Sequence, residues 1–370
     1  MAQLDTITIE GFKSISSIKD LKLNPINVVI GPNGSGKSNF IGIFSFLHAI
    51  REGDLQDSVI KTGGANKILH FGRKVTEKLY VRISFVEGVN QYAIELEPTN
   101  EDELIPTSET VYFWNKKYAS PNGYPISRVG KEAGISDSKI KLTVAQYVRE
   151  RLDKWRVYHF HDTSSSSPMK KNMDVNDNRF LRPDGSNLAS FLYYLKQKHE
   201  SSYDMIRRTV QRVAPYFEDF ILLPQKLNEE KIRLEWKHKG SEEYFDSSSF
   251  SDGSLRFIAL TTLFLQPESY RPSVILVDEP ELGLHPYAIT MLASLIKQAS
   301  TKTQVIISTQ SPLLLDHFNP EDVLVADRVD GGTVLTRLES SETLNKWLED
   351  FSLGQLWEKN EIGGRPKAER

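Results

Sequence analysis

One segment restricts what this chain can fold into more than any other. Gly31-Pro32-Asn33-Gly34-Ser35-Gly36-Lys37-Ser38 fits the pattern G-x-x-x-x-G-K-S in full and follows the apolar run Ile26 to Ile30. After it, Asn39 to Ile50 carries Phe40, Ile43, Phe44 and Leu47 on one helical stripe. The order is therefore strand, glycine-rich loop, helix, the context in which this pattern binds phosphate. Glycines let successive backbone N–H groups curl around an anion, and the helix presents the positive end of its dipole to it. The expected ATP-binding residues are Asn33, Gly34, Ser35, Gly36, Lys37, Ser38 and Asn39. Lys37 would reach the β- and γ-phosphates, and the Ser38 hydroxyl would ligate Mg²⁺.

A second element is Ser273-Val-Ile-Leu-Val-Asp278-Glu279-Pro280. Its apolar strand places Asp278 at a carboxyl end, where α/β proteins gather ligands. Asp278 is the second candidate Mg²⁺ ligand, and Glu279 is placed to polarise an attacking water as catalytic base. Two adjacent acids ending a strand also fit a solvated turn, a reading that the phosphate loop upstream argues against.

A third is Ser251-Asp252-Gly253-Ser254-Leu255-Arg256, which starts 27 residues before Asp278. Alone, S-D-G-S reads as a helix cap. Ser251 and Gly253 at a helix start also supply a hydroxyl, N–H groups and a dipole suited to a γ-phosphate. Together these residues resemble the ATP-binding-cassette heads of RecF and of the structural-maintenance-of-chromosomes proteins, and the predicted AAA-type ATPases related to the head of overcoming-lysogenization-defect (OLD) nucleases. Gly11-Phe12-Lys13-Ser14 resembles the start of such heads, and Glu281-Leu282-Gly283-Leu284-His285-Pro286 resembles their interface-crossing segment.

The resemblance implies an α/β ABC-ATPase head: a phosphate-loop core with an antiparallel β subdomain and a smaller, mostly helical signature lobe. It implies that Ser251, Asp252, Gly253 and Ser254 contact ATP held by a second copy, so that a homodimer is the expected working unit. At the switch position, where the family often has histidine, stands Gln310. Glutamine can hydrogen-bond a phosphate or a water but does not titrate near neutral pH. The family's glutamine-bearing loop is not placed: Gln91 and Gln146 read as surface residues. His159, His161 and Asp162 lack a third spaced ligand for a metal site, and Asp162 near the lobe junction suits sensing better.

The expected domains are residues 1–155 and 250–340 as the ATPase core, 156–250 as an inserted signature lobe, and 341–370 as a C-terminal helix and tail. Strands are expected at 6–11, 79–86, 91–97, 155–160, 220–223, 231–236, 274–277, 304–308, 323–326 and 333–338. Helices are expected at 186–198 with a serine N-cap, 203–213, 255–265, 287–300 and 342–351. Asn100 to Asp137 and Ser241 to Ser249 read as irregular and polar, and Ser164 to Ser167 as a linker. No heptad run fills the interval between the motifs, so no coiled-coil arm is expected. The tail Gly354 to Pro366 reads as a docking segment or a frayed end, and the last 30 residues are too few for a further domain with its own core.

Composition narrows the function classes. A net charge of −3 gives no domain-wide nucleic-acid footprint, and Arg207-Arg208 with Arg212, or Lys170-Lys171, read as solvated patches. No apolar stretch approaches membrane-spanning length. Without cysteine there is no disulfide or thiolate chemistry, in keeping with a cytoplasmic location. The functional expectation is an ATP-hydrolysing switch in DNA repair or anti-phage defence, with DNA contact and a separately encoded nuclease or effector as partner. A transporter's nucleotide-binding subunit and an ATP-dependent nuclease are the alternatives.

Overall fold

A computed structural model describes residues 4–364. Its centre is a six-stranded sheet with the order Gly332–Arg337, Val323–Val329, Ile26–Ile30, Gln304–Thr309, Val274–Asp278, Arg156–Tyr158. All neighbouring pairs are parallel except the first, an antiparallel hairpin. Side chains alternate across this sheet. Val28, Ile275, Val277, Val305 and Ile307 enter one core, whereas Val29, Val274, Leu276 and Ile306 enter the other. A sheet buried on both faces explains why these strands read as unbroken apolar runs rather than as alternating ones.

The core on one face is shared by the helix Lys37–Glu52, the helix Thr143–Leu152 and an antiparallel sheet. That sheet has the order Ile15–Lys22, Leu4–Phe12, Leu79–Phe85, Asn90–Pro98, Leu104–Phe113, Asn122–Pro125. On the opposite face lie the helices Leu188–Lys198, Glu200–Val213, Asp252–Leu265 and Pro286–Ser300. A three-stranded ladder of Phe217–Ile221, Glu235–His238 and Tyr244–Asp246 packs with them. The architecture is the expected α/β head: a phosphate-loop core carrying an antiparallel β subdomain, with helices gathered around the signature.

Several local expectations change. Asn100 to Asp137 is not irregular throughout, because Leu104–Phe113 pairs with Asn90–Pro98 and Asn122–Pro125 extends the sheet. Its strand LIPTSETVYF buries only three positions, so alternation is faint. Tyr244–Asp246 likewise pairs inside the segment 241–249. The helix Leu188–Lys198 has Asn187, not a serine, at its N-cap, and the Asn187 amide is committed to the carbonyls of Asp177 and Phe180. The C-terminal segment is packed as far as it is described: Leu353–Glu358 is helical, Gly354 N–H donates to Asp316 at 2.6 Å, and Gly364 N–H donates to Asp327 at 3.1 Å. Arg365 and Pro366 lie outside the described residues.

Because five of the strands are parallel, their carboxyl ends emerge on one edge; besides the end of Val323–Val329, four bear on the site. These are the loop at Gly31, the switch at Gln310, the acids at Asp278 and Glu279, and the segment starting at His159. Ligands of open α/β sheets collect at such an edge.

Candidate active site

The phosphate loop is held by contacts that no local pattern announces. Gly36 caps the helix Lys37–Glu52 with φ +99°, no side chain caps it, and no acid lies in the first turn. The first-turn N–H groups therefore remain available to an anion. A Cβ on Gly36 would collide with the Thr333 hydroxyl and crowd Ser14. Thr333 Oγ1 donates to Ser35 O at 2.8 Å, and the Thr333 and Ser14 hydroxyls lie 2.7 Å apart. Asn39 Nδ2 donates to Ser14 Oγ at 2.7 Å. Ser14 of the Gly-Phe-Lys-Ser segment is thus a buttress for the loop, and Thr333, 1% exposed, completes it.

Lys37 is buried and curls back on its loop, donating to Gly31 O at 2.8 Å and Pro32 O at 3.0 Å. Burial pulls its pKa below the ordinary lysine range, while the nearby charges of Glu279, Asp278 and Glu281 push the other way. A cleft of about 170 Å³ is lined by Asn33, Gly34, Gly36, Lys37, Ser38, Asn39 and Glu279. The loop and the acidic strand end therefore meet at one place.

The acidic end is pinned from both neighbouring strands. Ser308 Oγ donates to Asp278 Oδ1. Glu279 N–H donates to Ser308 O at 3.0 Å. Glu279 sits at φ +42°, a conformation costly for a residue with a side chain. Such strain persists where the surroundings impose it and is common at working sites. Gln310 Nε2 donates to Glu279 Oε1, so the switch residue and the expected base are in contact.

On the other side, His161 Nε2 donates to Asp278 O at 2.9 Å. The carbonyls of Phe160 and His161 accept from Arg256 Nε at 2.9 Å and Nη2 at 3.1 Å. His161 is therefore tied to the acidic strand rather than to a metal cluster. Burial pulls the pKa of His159 down. Asp162 is exposed and accepts from Ser164 Oγ at 2.6 Å. Gln146 is exposed, but Gln91 is buried and accepts from Arg82, contrary to its expected surface place. Lys170 is not a solvated patch either: it donates to Thr163 O at 2.6 Å and pairs with Asp252 at 3.7 Å.

Ser251 caps the helix Asp252–Leu265, its hydroxyl accepting from Ser254 N–H at 3.1 Å. Ser251 and Asp252 are exposed, Gly253 and Ser254 half-buried, and none of the four lines the cleft of the phosphate loop. Ser254 Oγ also lies 3.2 Å from the Tyr216 hydroxyl.

The residues fit a nucleoside triphosphate with Mg²⁺. Ser35 Oγ is buried without a hydrogen-bond partner among the described residues, and a Cβ at Gly34 would meet nothing within 4 Å. Together with the uncapped helix start, these give a polar cradle whose donors await an anion. Ser38 and Asp278 are the oxygen donors that would hold the metal beside it. Thr333 and Ser308 escaped the sequence reading as site residues, and Ser14, His161, Arg256 and Glu281 entered it only within motif segments or as a metal candidate set aside, because the relevance of all six arises from contacts distant in sequence.

Comparisons with known proteins bear on the family and the fold. Over 373 residues the chain is 21% identical to the Old nuclease of Escherichia phage P2, covering 92% of this chain and 62% of that protein. Over 399 residues it is 21% identical to the OLD nuclease of Thermus scotoductus, covering 97% of this chain and 69% of the relative. The fold matches an Smc head solved with the C-winged helix domain of ScpA, with a TM-score of 0.60 and 16% identity over 92% of this chain and 99% of that one. It also matches an Smc head with an extended coiled coil, solved with the C-terminal domain of ScpA derived from Pyrococcus furiosus, at TM-score 0.58 and 15% identity over 95% and 99%. Among the described residues no helix is long and apolar enough to cross a membrane. Residues 26–316 match the family described as "AAA domain, putative AbiEii toxin, Type IV TA system", and the chain belongs to that family as an AAA-type ATPase domain with an ABC-like head fold, related to the OLD nucleases.

Proposed function

We propose that two copies of this chain close around two ATP molecules and open after hydrolysis, so that nucleotide state governs a bound partner. The carrying observation is that the signature start at Ser251 is exposed and stands outside the cleft that holds Lys37 and Glu279. A capped, open helix start of this kind suits the γ-phosphate of an ATP held by another copy.

In each half-site, Lys37 exchanges its two loop carbonyls for β- and γ-phosphate oxygens. Backbone N–H groups from Asn33 to Asn39 surround the phosphates. When bound, Mg²⁺ supplies charge neutralisation at the phosphates, held by Ser38 and Asp278. Glu279 accepts the proton of the attacking water, and Gln310 orients both Glu279 and that water. Ser251, Asp252, Gly253 and Ser254 of the second copy complete the site. In this reading residues 1–155 with 250–340 act as the ATPase core, 156–250 as the signature lobe and 341–370 as an appended segment.

Mass measured by light scattering for Glu279→Gln tests the dimer. It should double with ATP and Mg²⁺ and revert without nucleotide; a monomer under both conditions would sink the reading. The output is gripping DNA or restraining a separately encoded nuclease or effector, in repair or anti-phage defence in the cytoplasm. Where the grip is on duplex DNA, anisotropy should report affinity falling ~10-fold or more between about 50 and 200 mM salt, because phosphate contacts release counterions. A salt-insensitive signal would assign the output to a protein partner.

A further inference from the structure

Glu281 follows Glu279 by two residues, yet none of the nucleotide chemistry above uses it. Its side chain is buried, at 8% exposure. Oε1 accepts from Thr309 Oγ1 at 2.6 Å and from Gln310 N–H at 3.1 Å. Oε2 is buried with no hydrogen-bond partner among the described residues. Burying a carboxyl with one oxygen unmatched costs free energy that an apolar side chain would not.

What the carboxyl grips gives that cost a use. Thr309 ends the strand Gln304–Thr309, and the next side chain, Gln310, bonds Glu279. Glu281 therefore fixes the backbone from which Gln310 reaches the base. Its own loop is equally fixed: Leu284 N–H donates to Glu281 O at 2.9 Å, and Leu282 N–H to Glu279 O at 3.3 Å. One residue before Leu284, the Gly283 carbonyl lies against the start of the helix Asp252–Leu265, so closely that a Cβ on Gly253 would collide with it. A Cβ on Gly283 would lie 3.0 Å from Arg256 Nη1.

We infer that Glu281 is a positioning residue for hydrolysis: it holds Gln310 against Glu279 and fastens that pair to the loop lying on the signature helix. The inference rests on the proposed assignment of Glu279 as base. A purely structural carboxyl, present only to close the loop, is the competing account. The two differ in what a conservative replacement does. Glutamine at 281 keeps an oxygen acceptor for Thr309 and Gln310 N–H but cannot take a proton; alanine removes the grip altogether.

Steady-state ATPase kinetics, binding of a fluorescent ATP analogue and thermal melting of Glu281→Ala and Glu281→Gln decide between them. For Glu281→Ala, kcat should fall ~10- to 100-fold while KM and analogue affinity stay within about two-fold of wild type, since only alignment at the reacting water is lost. Glu281→Gln should restore kcat to within about three-fold of wild type. Wild-type kcat in the alanine variant would overturn the inference. So would parallel loss of kcat, analogue binding and thermal stability in both variants, which marks a structural carboxyl. A glutamine variant as inactive as Glu279→Gln would overturn it differently, by showing that the charge of the Glu281 carboxylate, and not its grip on the strand end, is what turnover requires. If Glu279→Gln retains turnover, the base assignment falls, and the contrast between alanine and glutamine at 281 still decides whether Glu281 positions the strand end.

Discussion

Glu279→Gln should abolish steady-state ATP turnover while leaving ATP bound. The substitution keeps the length of the side chain and an oxygen that can accept from Gln310 Nε2, so the contact between switch and strand end survives. What disappears is the capacity to take a proton from water. General-base removal costs on the order of 10²- to 10⁴-fold in kcat, whereas the groups lining the phosphate cradle, Asn33 to Asn39, are untouched. Affinity for a fluorescent ATP analogue should therefore stay within about three-fold of wild type. Turnover comparable to wild type in phosphate-release assays would remove Glu279 from its role. The backbone adds a control: at φ +42° position 279 disfavours side chains in general, and glutamine carries the same burden as glutamate. A loss of activity on Glu279→Gln is thus attributable to the carboxylate rather than to a rearranged turn.

The parts of this site readable from the primary structure share one property: they are contiguous. Gly31 to Ser38 carries its own glycines, lysine and serine, and the flanking periodicities supply strand and helix without reference to anything remote. Val274 to Asp278 was readable for the same reason, because a strand buried on both faces is a plain apolar run. Contacts that close the site have no such local signal. Ser14 meets Thr333 across 319 positions, and His161 reaches the Asp278 carbonyl across 117. Lys170 looked like half of a solvated pair because a doublet of lysines does so locally; the fold brings the carbonyl of Thr163 and the carboxylate of Asp252 to it. The antiparallel sheet was half visible. Leu79–Phe85 alternates over its first five residues and Asn90–Pro98 carries the apolar series Tyr92, Ile94, Leu96, but Leu104–Phe113 includes proline, serine, threonine and glutamate at positions that are mostly not buried, which blurs the period that would reveal it. In the sequence Glu281 stands out only as part of a segment; its burial and its grip on Thr309 depend on the neighbouring strand.

A composite site makes a stronger prediction than loss of function by any single variant. Lys37→Ala should lose ATP binding, because the lysine is the buried cation of the cradle and no other side chain lining the cleft carries positive charge. Ser251→Arg should bind ATP at its own phosphate loop, since Ser251 does not line that cleft, yet fail to hydrolyse, because a long cation replaces the small hydroxyl that must approach the other copy's γ-phosphate. Each variant alone should be inactive. Mixed in equal amounts, they should regain activity. In the heterodimer, one site joins the intact Lys37 of the Ser251→Arg chain to the intact Ser251 of the Lys37→Ala chain, while the other site carries both lesions. With random pairing half of the dimers are mixed and half of their sites are whole, so roughly a quarter of wild-type activity should return if one site turns over alone. A reading in which the signature serves its own chain's nucleotide, or serves only as a helix cap, predicts no recovery at any mixing ratio. Titrating one inactive variant against a fixed amount of the other, with phosphate release as readout, separates the two. A rise to a maximum supports trans completion, and a flat line at background would remove the dimeric site from this protein's mechanism.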